Sequence, residues 1–198
     1  MSAQSGSLRN YSGAFSVHIP MTVKGRAAGG FYLLTIITGM FAAFTSSDSY
    51  GDAANLISNA CYVVVTLLLY RLLKPVNQLI SMLAAVFGLI TCLLGGLDTL
   101  HYHPIPIHYL VFSGFYCLLL GYLIYRSTFL PRFLGVLLAL SGLGWLTFLS
   151  PHLARQLLHY TMISGLLGEG SLTLWLLFVG INVQHWQQQA SVNAMSPS

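Results

Sequence analysis

Six long apolar stretches, separated by short polar breaks, constrain the fold of this chain more than any other feature of its sequence. They are residues 29–46, 53–73, 76–97, 107–125, 133–149 and 158–183. About 20 apolar helical residues cross the ~30 Å hydrocarbon core of a bilayer. Lipid offers no water to the backbone, so a segment inside it must satisfy its own hydrogen bonds as a helix. The sequence therefore predicts an all-α polytopic membrane protein, a bundle of six transmembrane helices.

The composition of the chain supports lipid rather than water as its main solvent. Of the 198 residues, 56% are hydrophobic and 6% are charged, whereas a soluble domain carries about 25% charged residues. The net charge of +4 comes from basic residues scattered at the ends of segments. Because they form no basic stripe, nucleic acid is not an expected partner. The three cysteines lack paired spacing, which argues against a disulfide framework.

Prolines and polar residues mark the breaks and divide the chain into three parts. Pro75 and Pro131 each lie where one apolar stretch gives way to the next, and proline disfavours helix at the residue before it. We expect a cytoplasmic N-terminal tail over 1–28, the six-helix transmembrane domain over 29–184 and a polar cytoplasmic tail over 185–198.

The positive charges predict the orientation of the chain. With six spans, seven of the eight basic residues fall on one side of the membrane, and only Arg155 falls on the other. The cytoplasmic side of membrane proteins is enriched in Lys and Arg, so both termini are expected in the cytoplasm. Residues in the two cytoplasmic turns serve as topology anchors or, alternatively, bind anionic lipid headgroups. They are Arg71, Lys74, Arg126 and Arg132.

Several stretches of the chain resemble a known family. They are GGFYLLTIITGMFA (29–42), LLLYRLLKPV (67–76), LIYRSTFLPRFLGVLLALSGLGWL (123–146) and GEGSLTLWLLFVGIN (168–182). In this order they are similar to the uncharacterised bacterial integral-membrane proteins catalogued as domain of unknown function 4386, over about residues 26–184. The resemblance implies a six-helix protein of the bacterial inner membrane, and it supplies no established activity.

Glu169 is an acid in the middle of the last apolar stretch. An ionisable group at mid-membrane costs roughly 2.5 kcal/mol or more, so it should face the bundle interior, be protonated or have a partner. Gly165, Gly168 and Gly170 surround it, and small residues let a neighbouring helix approach closely. Two interpretations remain open: a carboxylate that accepts a proton or binds a ligand, and a neutral side chain that fixes helix packing.

A second group of candidate residues lies near the outer ends of the predicted helices. Histidine and aspartate bind zinc and other divalent ions, so a metal site there is one hypothesis. Its members would be Asp98, His101, His103, His108, His152 and His159. His108 and His159 are each predicted to begin a helix, which would let them face each other across a haem. Because no HxxxH, HExxH or CxxCH motif is present, no cofactor is predicted, and interfacial hydrogen bonding is the simpler interpretation.

Three functions are compatible with these features. The shortage of inward polar residues favours a non-catalytic structural or accessory component of a membrane assembly, whose partners would be lipid and other membrane proteins or further copies of itself. A transporter or binder of a small apolar or weakly acidic solute, using Glu169, is the first alternative. A membrane metalloenzyme that uses the outer His and Asp residues is the second.

Overall fold

The computed structural model describes residues 21–45, 48–102 and 107–195, with side chains up to residue 192. Within these ranges the protein is all-α and has seven α-helices. They are α1 (Met21–Phe44), α2 (Asp48–Leu73), α3 (Gln78–Thr99), α4 (Leu110–Arg126), α5 (Arg132–Leu146), α6 (Pro151–Leu174) and α7 (Val183–Met195). A 3-10 turn, Thr147–Leu149, extends α5, and a π-helical turn, Trp175–Val179, extends α6.

Five of the described helices are long and apolar enough to cross a bilayer: α1, α2, α3, α5 with its 3-10 turn, and α6 with its π turn. The sixth apolar helix, α4, is shorter at 17 residues. Large apolar side chains are exposed along these helices, for example Ile37, Leu93 and Leu143. Such exposure is expected where lipid covers the surface. The chain thus has the architecture expected of a multi-pass membrane protein.

The six apolar helices form a closed ring. From α1 to α6, each helix packs against the next one along the chain. The ring closes because α6 and its π turn pack against α1. Side chains such as Tyr116, Leu120 and Leu69 are fully buried inside this ring. A side chain that points inward near the middle of these helices is therefore surrounded by other helices rather than by lipid.

Paired glycines bring α4 and α5 together. A Cβ atom at Gly121 would lie 2.7 Å from the carbonyl oxygen of Gly135, and one at Gly135 would lie 2.6 Å from the carbonyl oxygen of Gly121. Gly114 and Gly142 form a second reciprocal pair at 2.9 and 2.8 Å. Small residues allow this close backbone approach in membranes, so these glycines fix how α4 and α5 face each other.

The last helix, α7, covers one end of the ring, which we call the α7 end. The indole Nε1 of Trp186 donates to the carbonyl oxygen of Leu72 at the end of α2, at 2.9 Å. Gln189 Oε1 accepts from the backbone N and the Oγ1 of Thr128, which follows α4. The region expected as a polar tail over 185–198 is therefore helical as far as Met195, and α7 contacts both helix turns at its end of the ring.

The first helix begins earlier than the predicted tail boundary. It starts at Met21, so residues 21–28 of the expected tail are helical. Gly25 and Gly29 are buried there, and a Cβ at Gly29 would lie 2.8 Å from the backbone N of Leu177 in the π turn. Packing against the π turn therefore stabilises a polar first turn that hydropathy alone does not include in a span.

The first and last apolar helices are buried over only part of their lengths. On α1 the last buried residue is Tyr32, and none of residues 33–44, all described, is buried. On α6 the first buried residue is Thr161, and none of residues 151–160 is buried. The two helices therefore join the core near the α7 end and are exposed towards the opposite end.

Candidate functional site

Glu169 of α6 points into the ring and accepts two hydrogen bonds on the same oxygen. Trp145 of α5 donates its indole Nε1 hydrogen to Glu169 Oε1 at 2.9 Å. Cys117 of α4 donates its thiol hydrogen to the same oxygen at 3.7 Å, a long contact typical of sulfur. Glu169 itself is only partly buried. The carboxyl therefore has neighbours from two other helices.

Glu169 lies near the middle of the candidate membrane span Pro151–Val179. It lies ten residues before Val179, the end of the π turn, which is about 15 Å at ~1.5 Å per residue. This is about half of the ~30 Å hydrocarbon core. The helix begins at Pro151 rather than near residue 158, so its added N-terminal turns extend away from this depth.

Two of the glycines beside Glu169 make room for its neighbours. A Cβ at Gly165 would lie 2.8 Å from Cζ2 of Trp145, and a Cβ at Gly168 would lie 2.7 Å from the carbonyl oxygen of Leu137. Gly170 differs, because a Cβ there would meet only a leucine methyl group at 3.9 Å. Gly165 and Gly168 thus let α5 come close enough for Trp145 to reach the acid.

Three buried tyrosines form a row across the interior. The ring centroids of Tyr32 and Tyr62 are 5.7 Å apart, and those of Tyr62 and Tyr116 are also 5.7 Å apart. Both pairs meet edge to face, which is a favourable arrangement for aromatic rings. The row carries phenol hydroxyls from α1, α2 and α4 into the centre of the ring.

Five buried hydroxyls in this region make no hydrogen bond of good geometry among the residues that the structure describes. They belong to Tyr32, Tyr62, Thr66, Tyr116 and Ser141. Polar groups nevertheless lie beside some of them, with Tyr32 next to Glu169 and Tyr116 next to Thr66. The three tyrosine hydroxyls lie within electrostatic range of the Glu169 carboxyl. Burying a hydroxyl without a partner costs about 1–3 kcal/mol, and native proteins bury few such groups. A concentration of them around one acid therefore identifies the candidate site.

We call this group the inner polar cluster. Its members are Tyr32, Tyr62, Thr66, Tyr116, Cys117, Ser141, Trp145 and Glu169. They come from α1, α2, α4, α5 and α6. Gly88 supplies the contribution of α3, because a Cβ there would lie 2.9 Å from Thr66 Oγ1 and 3.0 Å from the Tyr116 ring.

The cluster contains no positive charge to balance an ionised Glu169. Among the described residues, no Lys, Arg or His side chain is buried. Its donors are an indole, a thiol and neutral hydroxyls, which can orient towards a carboxylate but cannot neutralise it. Glu169 is therefore either protonated and neutral, or ionised and balanced by a cation that the described residues do not supply.

Two of the outer candidates have structural roles at helix ends. His101 adopts φ 58°, and the backbone N–H groups of His101 and Tyr102 donate to the carbonyls of Asp98 and Leu97. This is a Schellman cap at the end of α3. His108 Nδ1 accepts from the backbone N of Leu110 at 3.3 Å, near the start of α4.

His108 is also partly covered by neighbouring rings. It stacks on Tyr109 and packs against Phe148. Burial lowers the pKa of His108 below 6.5, while the Asp98 carboxylate opposes that shift. The neutral form, which can accept the hydrogen bond that caps α4, is therefore favoured.

The remaining outer candidates do not converge. His152 and His159 are exposed on α6. His159 is the ninth residue of that helix rather than its first, so the expectation that it begins a helix is wrong, because Pro151 starts the helix two turns earlier. His103 lies outside the described residues. Among the residues that are described, no three His, Cys, Asp or Glu side chains are grouped as metal ligands.

The basic anchors lie at the α7 end, in the two turns where the sequence puts them. Arg71, Lys74, Arg126 and Arg132 are all exposed. The guanidinium of Arg132 lies over the ring of Tyr125, 5.9 Å from its centroid. Exposed side chains at helix ends are suited to contact headgroups or water.

Sequence reasoning singled out Glu169 but missed the tyrosine row. Tyr62 and Tyr116 lie in the middle of their apolar stretches, away from the ends where tyrosine is favoured at the membrane interface. Tyr32 is the fourth residue of the stretch 29–46, so its position alone gives no such signal. A mid-span phenol needs an internal partner just as a mid-span acid does. The mid-stretch positions of Tyr62 and Tyr116 were therefore the signal in the sequence that could have pointed to these residues.

Comparisons with known proteins agree with the resemblance. The family model described as Domain of unknown function (DUF4386) matches residues 99–180, which include Cys117, Trp145 and Glu169. An uncharacterized protein of Archaeoglobus fulgidus is 30% identical over 129 residues, or 60% of this chain and 76% of the relative. No solved structure matches the chain significantly. The chain belongs to the family described as Domain of unknown function (DUF4386).

Proposed function

We propose that this protein binds a small solute inside the membrane, and that Glu169 is the group that accepts the solute or a proton exchanged for it. The observation that carries the proposal is a set of five buried hydroxyls that make no hydrogen bond of good geometry, near a carboxyl without a basic counter-charge, all within the described part of the chain. Buried hydroxyls that are poorly hydrogen-bonded are costly. Their cost is offset when a polar occupant forms hydrogen bonds with them.

A purely structural role for Glu169 accounts for less of the geometry. The hydrogen bond from Trp145 would be enough to fix α5 against α6. It would not explain why hydroxyls from α1, α2 and α4 are buried near the same carboxyl. Solute binding, the first alternative from the sequence, is therefore better supported than the accessory role.

The metalloenzyme alternative has less support. His101 and His108 participate in helix caps, and His152 and His159 are exposed. A metal or haem at the outer face stays a prediction from the sequence, and elemental analysis of the purified protein would test it.

We further propose that all six apolar helices cross the cytoplasmic (inner) membrane of a prokaryotic cell, with both termini in the cytoplasm. The 17 residues of α4 extend about 26 Å at ~1.5 Å per residue, close to the thickness of the hydrocarbon core. The exposed arginines and lysine at the α7 end support a cytoplasmic location for that end.

Infrared spectroscopy of the purified protein tests the role of Glu169. A protonated carboxyl has a characteristic infrared band, and the band that disappears in Glu169→Gln belongs to Glu169. Glutamine is a suitable replacement because its amide oxygen can still accept the hydrogen bond from Trp145. We expect this band to titrate with pH while the protein stays folded, because a solute-binding carboxyl must exchange its proton. Trp145→Phe should shift its frequency, since one hydrogen bond to Oε1 is lost.

A carboxyl that serves only packing gives a different result. Its band would stay constant across the same pH range, and Glu169→Gln would not alter any pH-dependent change elsewhere in the infrared spectrum. That outcome would favour a purely structural role for Glu169.

A further inference from the structure

We infer that the inner polar cluster binds a small organic cation, a protonated alkylamine, between Glu169 and the row of Tyr32, Tyr62 and Tyr116. This inference rests on the proposed function and names the chemical class of the solute. It differs from the apolar or weakly acidic solute suggested by the sequence alone, because the geometry of the cluster adds two constraints.

The first constraint is charge. Glu169 is the acid of the cluster, and no basic side chain is buried in the described part of the chain. An anionic solute would therefore meet a carboxylate without a cation to offset the repulsion. A protonated amine supplies the missing charge and forms a charge-assisted hydrogen bond with the carboxylate.

The second constraint is the chemistry of the surrounding walls. Four aromatic side chains contribute to the cluster, namely the three tyrosines and Trp145. Aromatic faces attract ammonium groups, most strongly in a site shielded from water. The phenol oxygens can also accept N–H hydrogens, so an ammonium group would give well-formed hydrogen bonds to hydroxyls that make none among the described residues.

Both constraints act at one depth in the ring. Tyr32 is the last buried residue of α1, beyond which neither α1 nor the first turns of α6 are buried. Glu169 is only partly buried. The cluster thus lies at the depth where these two helices begin to lose their cover.

Trp145 provides an internal reporter for the test. In a Trp175→Phe/Trp186→Phe background, the remaining indole is the one that donates to Glu169. Ethylammonium chloride is added at constant pH and ionic strength, and the emission of Trp145 and the thermal unfolding temperature are recorded. Ethanol, sodium acetate and sodium chloride are the matched neutral, anionic and inorganic-cation probes.

We expect ethylammonium alone to give a saturable emission change and a rise in unfolding temperature, because a ligand that binds the folded state stabilises it. Glu169→Gln should abolish saturation. Tyr62→Phe should weaken the apparent affinity about tenfold or more, because one hydrogen bond to a charged ligand is lost. If Glu169→Gln fails to fold, Tyr62→Phe still tests the inference.

The other outcomes contradict the inference in distinguishable ways. An equal response to sodium chloride would indicate an inorganic cation site, and a response to acetate would indicate an anion site. A Glu169 infrared band that titrates, together with no response to ethylammonium, would leave the proposed function intact and overturn the amine. If the band is constant and ethylammonium has no effect, both proposals fail.

Discussion

At the scale of single residues, the unusual property of this protein is that some buried hydroxyls have partners and others of the same type do not. Thr173 donates its Oγ1 hydrogen to the carbonyl oxygen of Glu169 at 2.7 Å, whereas Thr66 Oγ1 lies beside Tyr116 but makes no hydrogen bond of good geometry among the described residues. Both threonines are at most 1% exposed. The two positions therefore form a matched pair for measuring what an unpartnered hydroxyl costs.

Replacing each threonine by the isosteric valine should change stability in opposite directions. We expect Thr66→Val to raise the free energy of unfolding by about 1 kcal/mol, because a desolvation penalty is removed, and Thr173→Val to lower it by about 1 kcal/mol, because a hydrogen bond is lost. Chemical or thermal unfolding in detergent measures both. Destabilisation by Thr66→Val would mean that its hydroxyl is satisfied in the resting protein, which would weaken the argument for a site prepared for a ligand.

The sequence predicts the identity of the central acid but not its neighbours. Glu169 is recognisable because a lone carboxyl in an apolar stretch must be accommodated. That Trp145 and Cys117 share its Oε1 depends on which helices are adjacent and how each is rotated about its axis. Hydropathy predicts neither which helices are neighbours nor how each is rotated, so the partners of Glu169 can be identified only in the three-dimensional structure.

At the scale of helices, glycines decide how closely α5 and α6 approach, and therefore whether Trp145 can reach Glu169. Gly168→Ala would force a Cβ within 2.7 Å of the α5 backbone, whereas Gly170→Ala would place a Cβ in ordinary contact with a leucine methyl group at 3.9 Å. Overpacking at such a contact costs about 1–3 kcal/mol, while alanine in an open helical position is favoured over glycine by up to about 1 kcal/mol.

The two alanine substitutions should thus differ in sign. We expect Gly168→Ala to lower the unfolding temperature and to change the emission of Trp145, because α5 must move away from the acid. Gly170→Ala, two residues away on the same helix, should keep the emission unchanged and leave stability equal or higher. Equal behaviour of the two variants would show that glycine at 168 does not set the α5–α6 distance.

The helix α7 shows what hydropathy misses at this scale. Its residues are polar, with Gln187, Gln188 and Gln189 in sequence, so the composition predicted a tail. Asn182 accepts from the backbone N of His185 through its Oδ1 at 3.2 Å and caps the first turn. Val183 and Trp186 pack against the core, and polar hydrogen bonds to the ends of α2 and α4 complete the contact. Two apolar contacts are too few for a search for apolar periodicity to detect.

At the scale of the whole molecule, the fold class follows from the sequence because lipid imposes it. Long apolar segments must be helices in a bilayer, and the described structure is all-α with apolar segments in the predicted order. The closure of the ring, with α6 returning to α1, is not encoded in segment lengths. This closure is what converts dispersed polar residues on separate helices into one cluster.

The remaining whole-molecule question is which ends of the helices face the cytoplasm, and cysteine labelling decides it. Cys61, Cys92 and Cys117 are buried, so background labelling should be low, while His152, Ile107 and Gln188 are exposed. A membrane-impermeant maleimide should label His152→Cys and Ile107→Cys in intact cells. Gln188→Cys should react only after permeabilisation, because positive charge retains the α7 end in the cytoplasm.

Each departure from that pattern has a distinct structural meaning. Labelling of Gln188→Cys alone in intact cells would show that the whole bundle has the opposite orientation, with the α7 end outside the cytoplasm. Opposite behaviour of Ile107→Cys and His152→Cys would show that only one of α4 and α5 crosses the membrane, and the 17-residue α4 would be the helix that stays on one side. In that case the ring could not place Tyr116 and Glu169 at a common depth, and the inner polar cluster would lose its basis as a binding site.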